Sequence, residues 1–390
     1  MPSLVKPNDQ LSIIVAGMVA GQPGQGGAAW AVLQYVLGLR ALGHKVTLVE
    51  PVKVPAEQTD AAFAASDAAA YFRQLVADFG LEDSAALVRS EGTATVGMPH
   101  GELARRAGRA DILLNISGML RDSALTDPVP RRVFLDLDPA FNQMWQAQGI
   151  DMGFDRHSHF VTIAWNIGQA GCTVPTCGRT WITTPQPVVL DHWPVATEIV
   201  HNGLTTVAHW RSYGSVTHEG IFHGQKAHAW RELVDLPRLT HEKCLPALAI
   251  HSDEVRDLAA LRDAGWRLLD PAEHCGRPAN YQRFVQDSKA ELAIAKSGYV
   301  LSRCGWFSDR SVCYLASGRP VIAHDTGFAS RLPTGEGLFG FADTDDILAA
   351  IDAINADYLR HCRAARSLAD EYFDSRHVLP TLLDAIMSAG

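Results

Sequence analysis

The chain has 390 residues, of which 47% are hydrophobic and 20% charged, a composition typical of a globular protein with room for two hydrophobic cores. Its formal net charge of −9 argues against an extended nucleic-acid-binding surface, which needs Lys and Arg clustered on one face. No apolar run approaches the roughly 18 residues of a membrane-spanning helix, and Met1 to Gln10 lacks the apolar segment of a signal peptide, so we expect a cytoplasmic protein without a membrane span or a nucleic-acid partner.

The seven cysteines predict neither a disulfide framework nor a metal site. Their odd number, in a chain of this length, fits a reducing compartment. Cys172 and Cys177 are separated by a gap that zinc permits, but no second Cys or His pair follows at the spacing of a zinc finger. We therefore expect no bound metal.

The N-terminal segment has the pattern of a strand, a glycine-rich loop, a helix and a second strand. The apolar run Leu11 to Val19 predicts a buried strand, Gly21 to Gly27 a loop, Ala28 to Leu42 a helix and Lys45 to Glu50 the second strand. Such a unit can bind a dinucleotide, but its glycines stand as G-x-x-G-x-G-G instead of G-x-G-x-x-G. An oxidoreductase that uses NAD or FAD is therefore the alternative function.

Two aspartates follow a predicted strand further along the chain. After predicted helices at Ala61 to Phe79 and Leu81 to Arg89, the runs Asp111 to Gly118 and Arg131 to Leu135 predict strands, and Asp136 and Asp138 come directly after the second. The carboxyl ends of parallel strands face the ligand cleft in open α/β sheets. Either aspartate is a candidate base for an acceptor hydroxyl or a ligand of sugar hydroxyls, and capping of a helix before Pro139 is the alternative.

Histidines supply further candidates for a general base, since imidazole titrates near neutral pH. His157 and His159 precede a predicted strand at Phe160 to Ala164, and His100 stands before Gly101. The chain has 16 histidines, and most histidines in a protein are structural or surface residues. We retain His157 and His159 as candidate catalytic residues beside the two aspartates.

A change of composition near Pro194 predicts a domain boundary, and alternating strands and helices follow it. Strands are predicted at Thr205 to Trp210, Ala247 to His251 and Trp266 to Leu269, with a helix at Glu254 to Asp263. Further helices are predicted by the periodic apolar positions of three segments, Asn280 to Ala295, Ala356 to Tyr372 and Val378 to Met387. In the first of these, Arg283, Lys289 and Glu291 are assigned to the solvent-exposed face.

The segment Gly298 to Phe339 carries the most informative pattern. Tyr299 to Ser302 is predicted as a strand that ends in a turn at Gly305; a helix capped by Ser308 or Asp309 follows, and Val321 to Ala323 is the next strand. A strand, a glycine turn and a helix N-terminus form an anion-binding geometry, because free N–H groups and the positive end of the helix dipole face the ligand. A βαβ unit without a ligand is the alternative.

Two linked motifs in this segment resemble those of the two-domain (GT-B) glycosyltransferases. Ser302-Arg303-Cys304-Gly305, followed by Ala316-Ser317-Gly318-Arg319-Pro320-Val321-Ile322-Ala323, resembles their donor-site signature. Gly335 to Phe339 and the helix that Asp343 opens resemble their closing unit. The resemblance implies an α/β protein with two doubly wound Rossmann-like domains that face a cleft.

The resemblance also implies that the two domains bind different substrates. Residues 1–194 would bind the acceptor, residues 195–365 would bind the nucleotide sugar, and residues 366–390 would pack back on the first domain. The implied reaction is metal-independent transfer of a hexosyl or related group to an acceptor, for which we expect a small natural product. The nucleotide sugar is a co-substrate, so no cofactor is expected, and a homodimer is left open.

One departure from the family pattern affects the donor site. Many members bind the nucleotide ribose with a glutamate seven residues before the proline of the P-V-I strand, where this chain has Cys313. Asp309 is the candidate replacement, and a binding protein without activity is a third alternative. The candidate substrate-binding residues implied by the resemblance are Gly24, Gln25, Gly26, Arg211, Lys226, Arg303, Gly305, Ser308, Asp309, Arg310, Asp325, Thr326 and Gly327.

Overall fold

Two largely parallel sheets, formed by successive halves of the chain, organise the fold. The computed structural model describes residues 10–55 and 57–389. The expectation for Met1 to Gln10 therefore concerns residues that, except for Gln10, lie outside the described part of the chain.

The first half of the chain alternates strands and helices. Its elements are β1 (Ser12–Ala16), α1 (Gly26–Ala41), β2 (Lys45–Val52), α2 (Asp60–Ala64), α3 (Asp67–Asp78), β3 (Ala85–Arg89), β4 (Thr95–Gly97), α4 (His100–Ala107), β5 (Ile112–Ile116), α5 (Ser123–Thr126), β6 (Arg131–Asp136), α6 (Phe141–Ala147), β7 (His159–Thr162) and β8 (Trp181–Thr183). Short 3₁₀ helices lie at Phe154–Arg156 and Leu190–His192.

The second half repeats this alternation and ends in three longer helices. Its elements are β9 (His201–His209), β10 (Val216–His218), β11 (Ile221–His223), α7 (Lys226–Glu232), α8 (Leu236–Leu239), β12 (Cys244–Ala249), α9 (Val255–Ala264), α10 (Pro271–Cys275), α11 (Pro278–Gln286), β13 (Ser288–Ala293), α12 (Ser297–Ser302), α13 (Asp309–Ala316), β14 (Val321–His324), β15 (Leu338–Phe341), α14 (Thr344–Ala356), α15 (Tyr358–Tyr372) and α16 (Ser375–Ser388). A further 3₁₀ helix lies at Phe328–Ser330.

The first sheet has eight strands in the order β4-β3-β2-β1-β5-β6-β7-β8, and among them β4 is antiparallel to its neighbour. Helices cover both of its faces. In β1, Ile13 and Val15 pack in the core that includes α1, while Ile14 and Ala16 pack in the core that includes α4. Burial on both sides explains the continuous apolar sequence of this strand.

The second sheet has five parallel strands in the order β12-β9-β13-β14-β15. Its faces are also both covered. In β13, Leu292 packs in the core that includes α7, α9 and α14, and Ala293 packs in the core that includes α13 and α15. Both sheets are thus doubly wound, which confirms the predicted fold class.

Two predicted elements of the second half are wrong. The segment Asn280 to Ala295 contains the end of α11 and then β13, and not one helix. Tyr299 to Ser302 belongs to α12, and not to a strand. The sequence of β13, SKAELA, is rich in helix-favouring residues, but pairing with β9 and β14 on both sides overrides that preference.

Three smaller predictions also fail. Within Leu81 to Arg89, the structure has β3 at Ala85–Arg89 instead of a helix. Trp266 to Leu269 forms no strand of its own, although Leu269 makes a single bridge to Ala247. Glu291, assigned to an exposed helix face, is fully buried in β13.

Helix α1 joins the two halves of the molecule. A Cβ atom at Gly26 would stand 2.4 Å from the carbonyl oxygen of Arg277, and one at Gly27 would stand 2.8 Å from the ring of Tyr281. Glycine is required here because the helix approaches the backbone of the second half directly. On its other side α1 contacts α16, where Gly38 faces Leu379, so the C-terminal helix lies against the first half of the chain.

Candidate functional site

Positively charged groups gather at the carboxyl end of the second sheet. Lys226 opens α7, Lys296 follows β13, and Arg310 lies in the first turn of α13. These three charges interact: Arg310 and Lys296 both lower the pKa of Lys226, although burial is the largest cause of that strong lowering. Within the described residues the side-chain nitrogen of Lys226 makes no hydrogen bond or ion pair, and the charges of Glu291 and Asp309 only partly oppose the lowering of its pKa.

Arg310 is bound within the protein. Its Nε donates to Oε1 of the buried Glu291, and its Nη1 donates to the carbonyl oxygen of Val207 at 2.9 Å. The carboxylate and the neighbouring Asp309 hold the pKa of Arg310 above its usual value. The guanidinium therefore compensates Glu291 inside the sheet, which favours a structural role over the predicted role in substrate binding.

Asp309 lies beside this ion pair, at the start of α13. Ser308 caps the helix by accepting a hydrogen bond from the Arg310 N–H at 3.2 Å, as the sequence predicts. Burial raises the pKa of Asp309, and the charges of Arg310 and Lys226 oppose that rise. The charge of Lys226 thus acts on Asp309, and the contact of Asp309 with the donor stays a prediction.

Lys296 forms an ion pair that joins the two halves of the molecule. Its Nζ donates to Oδ1 and Oδ2 of Asp138 at 2.9 and 3.2 Å, and it also donates to the hydroxyls of Tyr213 and Tyr299. The side chains of Lys296 and Asp138 are 12% and 24% exposed. Asp138 therefore faces the cleft, as predicted, and its carboxylate is paired there with the ammonium of Lys296.

Asp136 points the other way and is fully buried. Its carboxylate accepts hydrogen bonds from the Asp138 N–H at 3.1 Å, Asn142 at 2.7 Å, Gln143 at 2.6 Å and the Thr162 hydroxyl at 2.9 Å. Burial raises its pKa to about 6 despite these donors. The four bonds tie β6 to α6 and β7, which favours a structural role over the predicted role as a base.

The predicted histidines lie away from the charged cleft. Both ring nitrogens of buried His157 are engaged, Nδ1 with the Gly153 carbonyl oxygen at 2.7 Å and Nε2 with the Asn115 amide at 3.0 Å. His159 is the first residue of β7, at the amino end of the strand, with its Nδ1 2.9 Å from the Ser158 hydroxyl. Neither geometry supports the predicted role in catalysis.

The buried His157 should make the stability of the protein depend on pH. Burial lowers its pKa to about 4 in the folded protein, against 6.5 for the free side chain. The unfolded chain therefore binds more protons between these values, and the free energy of unfolding falls as the pH drops from about 6.5 to about 4. We expect His157→Gln to remove about 3 kcal/mol of this loss.

Urea denaturation at several pH values within this window measures the effect. Exposed His377 provides the control, because His377→Gln should leave the pH dependence of the wild type unchanged. An equally steep loss of stability in His157→Gln would show that another group is responsible.

The predicted anion-binding turn is closed by contacts within the protein. The Gly305 N–H donates to the Thr326 carbonyl oxygen at 2.8 Å, so it is not free for a phosphate. The Asn166 side chain, from the first half, donates to the carbonyl oxygens of Arg303 at 3.1 Å and Gly327 at 3.2 Å. A Cβ at Gly305 would stand 2.9 Å from this side chain, so the glycine allows the halves to meet.

Three further predicted substrate-binding residues, Asp325, Thr326 and Gly327, form the loop after β14. Asp325 accepts a hydrogen bond from the Gly327 N–H at 2.8 Å, which stabilises the turn in which Gly327 has a φ of +98°. Thr326 is fully buried and its hydroxyl donates to the Trp306 carbonyl oxygen. The side chain of Arg303 is exposed at the C-terminal end of α12.

The three predicted residues of the first loop, Gly24, Gln25 and Gly26, differ in their surroundings. Gly24 is exposed and Gln25 donates to Gln22 at 2.7 Å, so both belong to a surface loop. Gly26 is buried in the contact with Arg277 described above, which favours packing over substrate binding. Arg211, after β9, forms an ion pair with Glu254 and keeps 44% of its side chain exposed.

A cavity of about 780 Å³ opens at the carboxyl ends of β1, β2, β3 and β5. Glu50 lies in its wall, where it accepts hydrogen bonds from the N–H groups of Ala20 at 2.8 Å and Gly21 at 2.6 Å. Burial raises the pKa of Glu50 to about 7. Because its oxygens bind the backbone of the first loop, Glu50 is not oriented for a ribose, which argues against the dinucleotide alternative.

Comparisons with known proteins support the fold alone, because the similar structures described here share only 11–12% identity with the chain. No protein-family model matches the sequence, and no curated protein is similar to it in sequence. An alpha-glucosyltransferase solved with UDP and a 13-mer DNA has a TM-score of 0.62 at 12% identity, over 96% of this chain and 99% of its own. HepE of Anabaena, solved with UDP-glucose, has a TM-score of 0.56 at 11% identity, over 96% and 99%. Sucrose-phosphate synthase of Thermosynechococcus elongatus has 0.53 at 12%, over 98% and 100%.

The chain has the GT-B fold. In this GT-B chain the cleft between the domains contains Lys226, Lys296 and Asp138, and the cavity lies in the wall of the first domain. No group of three or more His, Cys, Asp or Glu residues that could hold a metal ion occurs within residues 10–55 and 57–389. None of the helices in these ranges is long and apolar enough to cross a membrane.

Several residues of the GT-B cleft were not among the predicted site residues. Lys296 went unnoticed because β13 was predicted as part of a helix, which hid its position just beyond a strand end. His209 ends β9, and the charges of Lys226 and Lys296, after burial, lower its pKa. The ring of Tyr213 lies 3.9 Å from the Lys296 ammonium. The position of His209 at the carboxyl end of a correctly predicted strand could have identified it as a cleft residue.

Proposed function

We propose that this protein is a glycosyltransferase that moves a hexosyl or related group from a nucleotide sugar to an acceptor. The unpaired ammonium of Lys226, beside Lys296 and Arg310, is the observation that carries the proposal. Burial disfavours the charged form of this lysine, and an anion beside it would restore the ammonium; a diphosphate supplies two negative phosphates at that point. The GT-B structures that this fold resembles include complexes with UDP and UDP-glucose.

The donor would bind to the second domain, residues 195–365, and the acceptor to the first, residues 1–194. Lys226 would contact the diphosphate, and Asp309 would bind the ribose. As the sugar leaves, negative charge develops on the diphosphate, and fixed cations stabilise it without reorganisation. The proposal therefore assigns to Lys226 and its neighbours the charge that a metal ion supplies in other transferases.

The cavity of the first domain supports a small acceptor. Its volume of about 780 Å³ lies within the range of sites for small molecules, roughly 300–1,000 Å³. Apolar side chains of Val52, Val88 and Leu120 line it together with charged ones, namely Glu50, Lys53, Arg89, Glu91, Arg121 and Asp122. This combination suits a small acceptor with an apolar part and several polar groups, such as a natural product.

A thermal-shift screen tests the donor class. Purified protein is heated with UDP, dTDP, GDP, ADP, CDP, NAD or FAD. We expect one nucleoside diphosphate to raise the melting temperature, because a ligand at 100 times its Kd stabilises the folded state by about 2.7 kcal/mol. Hydrolysis of the matching nucleotide sugar, or its transfer to an acceptor library, then shows turnover.

The other outcomes identify the alternatives. A shift with NAD or FAD alone would contradict the proposal and favour an oxidoreductase. Binding of a nucleoside diphosphate without hydrolysis or transfer would favour a binding protein on the same fold. No shift with any nucleotide would reject a donor site in this cleft.

A further inference from the structure

The ion pair between Lys296 and Asp138 spans the cleft in which the donor is proposed to bind. Lys296 belongs to the second domain and Asp138 to the first, and they are 158 residues apart in the sequence. Tyr299 donates to the same carboxylate, and Tyr213 accepts from the same ammonium. The pair is thus the centre of a hydrogen-bonded group that joins the domains.

An aromatic cage fixes the position of the ammonium. The Lys296 Nζ lies 3.9 Å from the ring centroid of Tyr213, 5.0 Å from that of Phe141 and 5.1 Å from that of Tyr299. Ring faces attract a cation and hold it without neutralising its charge. The rings therefore hold the Lys296 nitrogen at a defined place while its anionic partner can change.

The surroundings of Lys296 favour a second anion. Lys226 is near enough for the charge of Lys296 to lower its pKa, and the pKa of His209 responds to both lysines. Asp138 neutralises Lys296, but Lys226 has no ion-pair partner in the described chain. A diphosphate that binds Lys226 would place its second phosphate in the same field of positive charge.

We propose that Lys296 is a second ligand of the donor diphosphate and that Asp138 occupies its place until the donor binds. The inference rests on the proposed function and deepens it. The phosphate replaces Asp138 as the partner of the ammonium, and the released carboxylate can then accept a hydrogen bond from the acceptor hydroxyl. Donor binding thus comes before productive acceptor binding, because Asp138 is otherwise held by Lys296.

The affinity for UDP, with inorganic pyrophosphate as a second probe, tests this exchange by isothermal titration calorimetry. Lys296→Met removes a ligand, and we expect both probes to bind about tenfold more weakly. Asp138→Asn keeps the shape but removes the competing charge, and we expect both to bind about three- to tenfold more tightly. In the double variant Lys296→Met with Asp138→Asn, the gain in affinity that Asp138→Asn gives alone should vanish, because there is no Lys296 ammonium left to release.

Gln148→Ala serves as the matched control, because it removes an uncharged contact between the same domains, the 2.6 Å hydrogen bond to the Thr217 carbonyl oxygen. Its affinities should equal those of the wild type. If Asp138→Asn leaves the affinities unchanged or weakens them, while Lys226→Met abolishes binding, the exchange is wrong and the proposed function stands. If the wild type binds neither UDP nor pyrophosphate nor any nucleoside diphosphate of the screen, both proposals fail.

Discussion

Lys226→Met is expected to weaken the binding of UDP, or of the nucleoside diphosphate that the screen selects, by about 100-fold or more. Removing one partner of a desolvated charge pair costs about 2–5 kcal/mol. The ammonium makes no hydrogen bond or ion pair within the described residues, so its proposed partner is the ligand. Isothermal titration calorimetry of the folded variant measures the loss directly.

The stability of the unliganded variant distinguishes a binding residue from a structural one. Burial lowers the pKa of Lys226, which means that the fold disfavours the charged form. Lys226→Met should therefore leave the free energy of unfolding unchanged or raise it, while ligand binding is lost. A variant that is destabilised but still binds the nucleotide would contradict the assignment.

Lys243 provides the control, because it is an exposed lysine of the same domain at the opposite, amino end of β12. Lys243→Met makes the same change of charge and size. Unchanged affinity in this variant would show that the effect of Lys226→Met is local. An equal loss in both variants would indicate a general effect of net charge.

The fold was predictable because its strongest signals are local. The buried strands β1, β5 and β14 have largely apolar sequences, and the glycines and the Ser308 cap mark the ends of helices. Burial on both faces of a parallel sheet produces such runs without help from distant residues. The predicted fold class is therefore confirmed, including the doubly wound arrangement of both sheets.

β13 could not be predicted because its stability comes from distant partners. Glu291 is buried in this strand only because Arg310, 19 residues later, compensates its charge. A local pattern shows neither that pairing nor the neighbours β9 and β14 on each side. The error at β13 then concealed Lys296, which lies just beyond its carboxyl end.

The candidate site was predicted by region more accurately than by residue. Asp136 and Asp138 both follow β6, but four donors of the first domain bind Asp136, whereas Lys296 of the second binds Asp138. The difference depends on side chains brought together from two domains. Sequence spacing alone assigns both carboxylates to the same edge of the sheet and cannot separate their roles.

Arg310→Met is expected to destabilise the protein by about 3–5 kcal/mol, since it leaves Glu291 as an uncompensated charge in the interior. Glu291 is fully buried, and its second oxygen, Oε2, has no hydrogen-bond partner even in the intact pair. The carbonyl oxygen of Val207 also loses the hydrogen bond from Arg310. Urea denaturation at neutral pH measures the change in the free energy of unfolding.

Two further variants show whether the loss comes from the orphaned carboxylate. The double variant Arg310→Met with Glu291→Met should recover most of the stability, because apolar side chains can replace a buried ion pair at little cost. Arg360→Met breaks the exposed pair with Glu336 and should cost less than about 1 kcal/mol. If Arg310→Met costs no more than Arg360→Met, Glu291 does not depend on this guanidinium, and Arg310 becomes available for the donor. A large loss that the double variant repairs would instead explain why α13 carries an arginine that is bound inside the protein. Its guanidinium allows a carboxylate to remain inside the central strand of the second sheet.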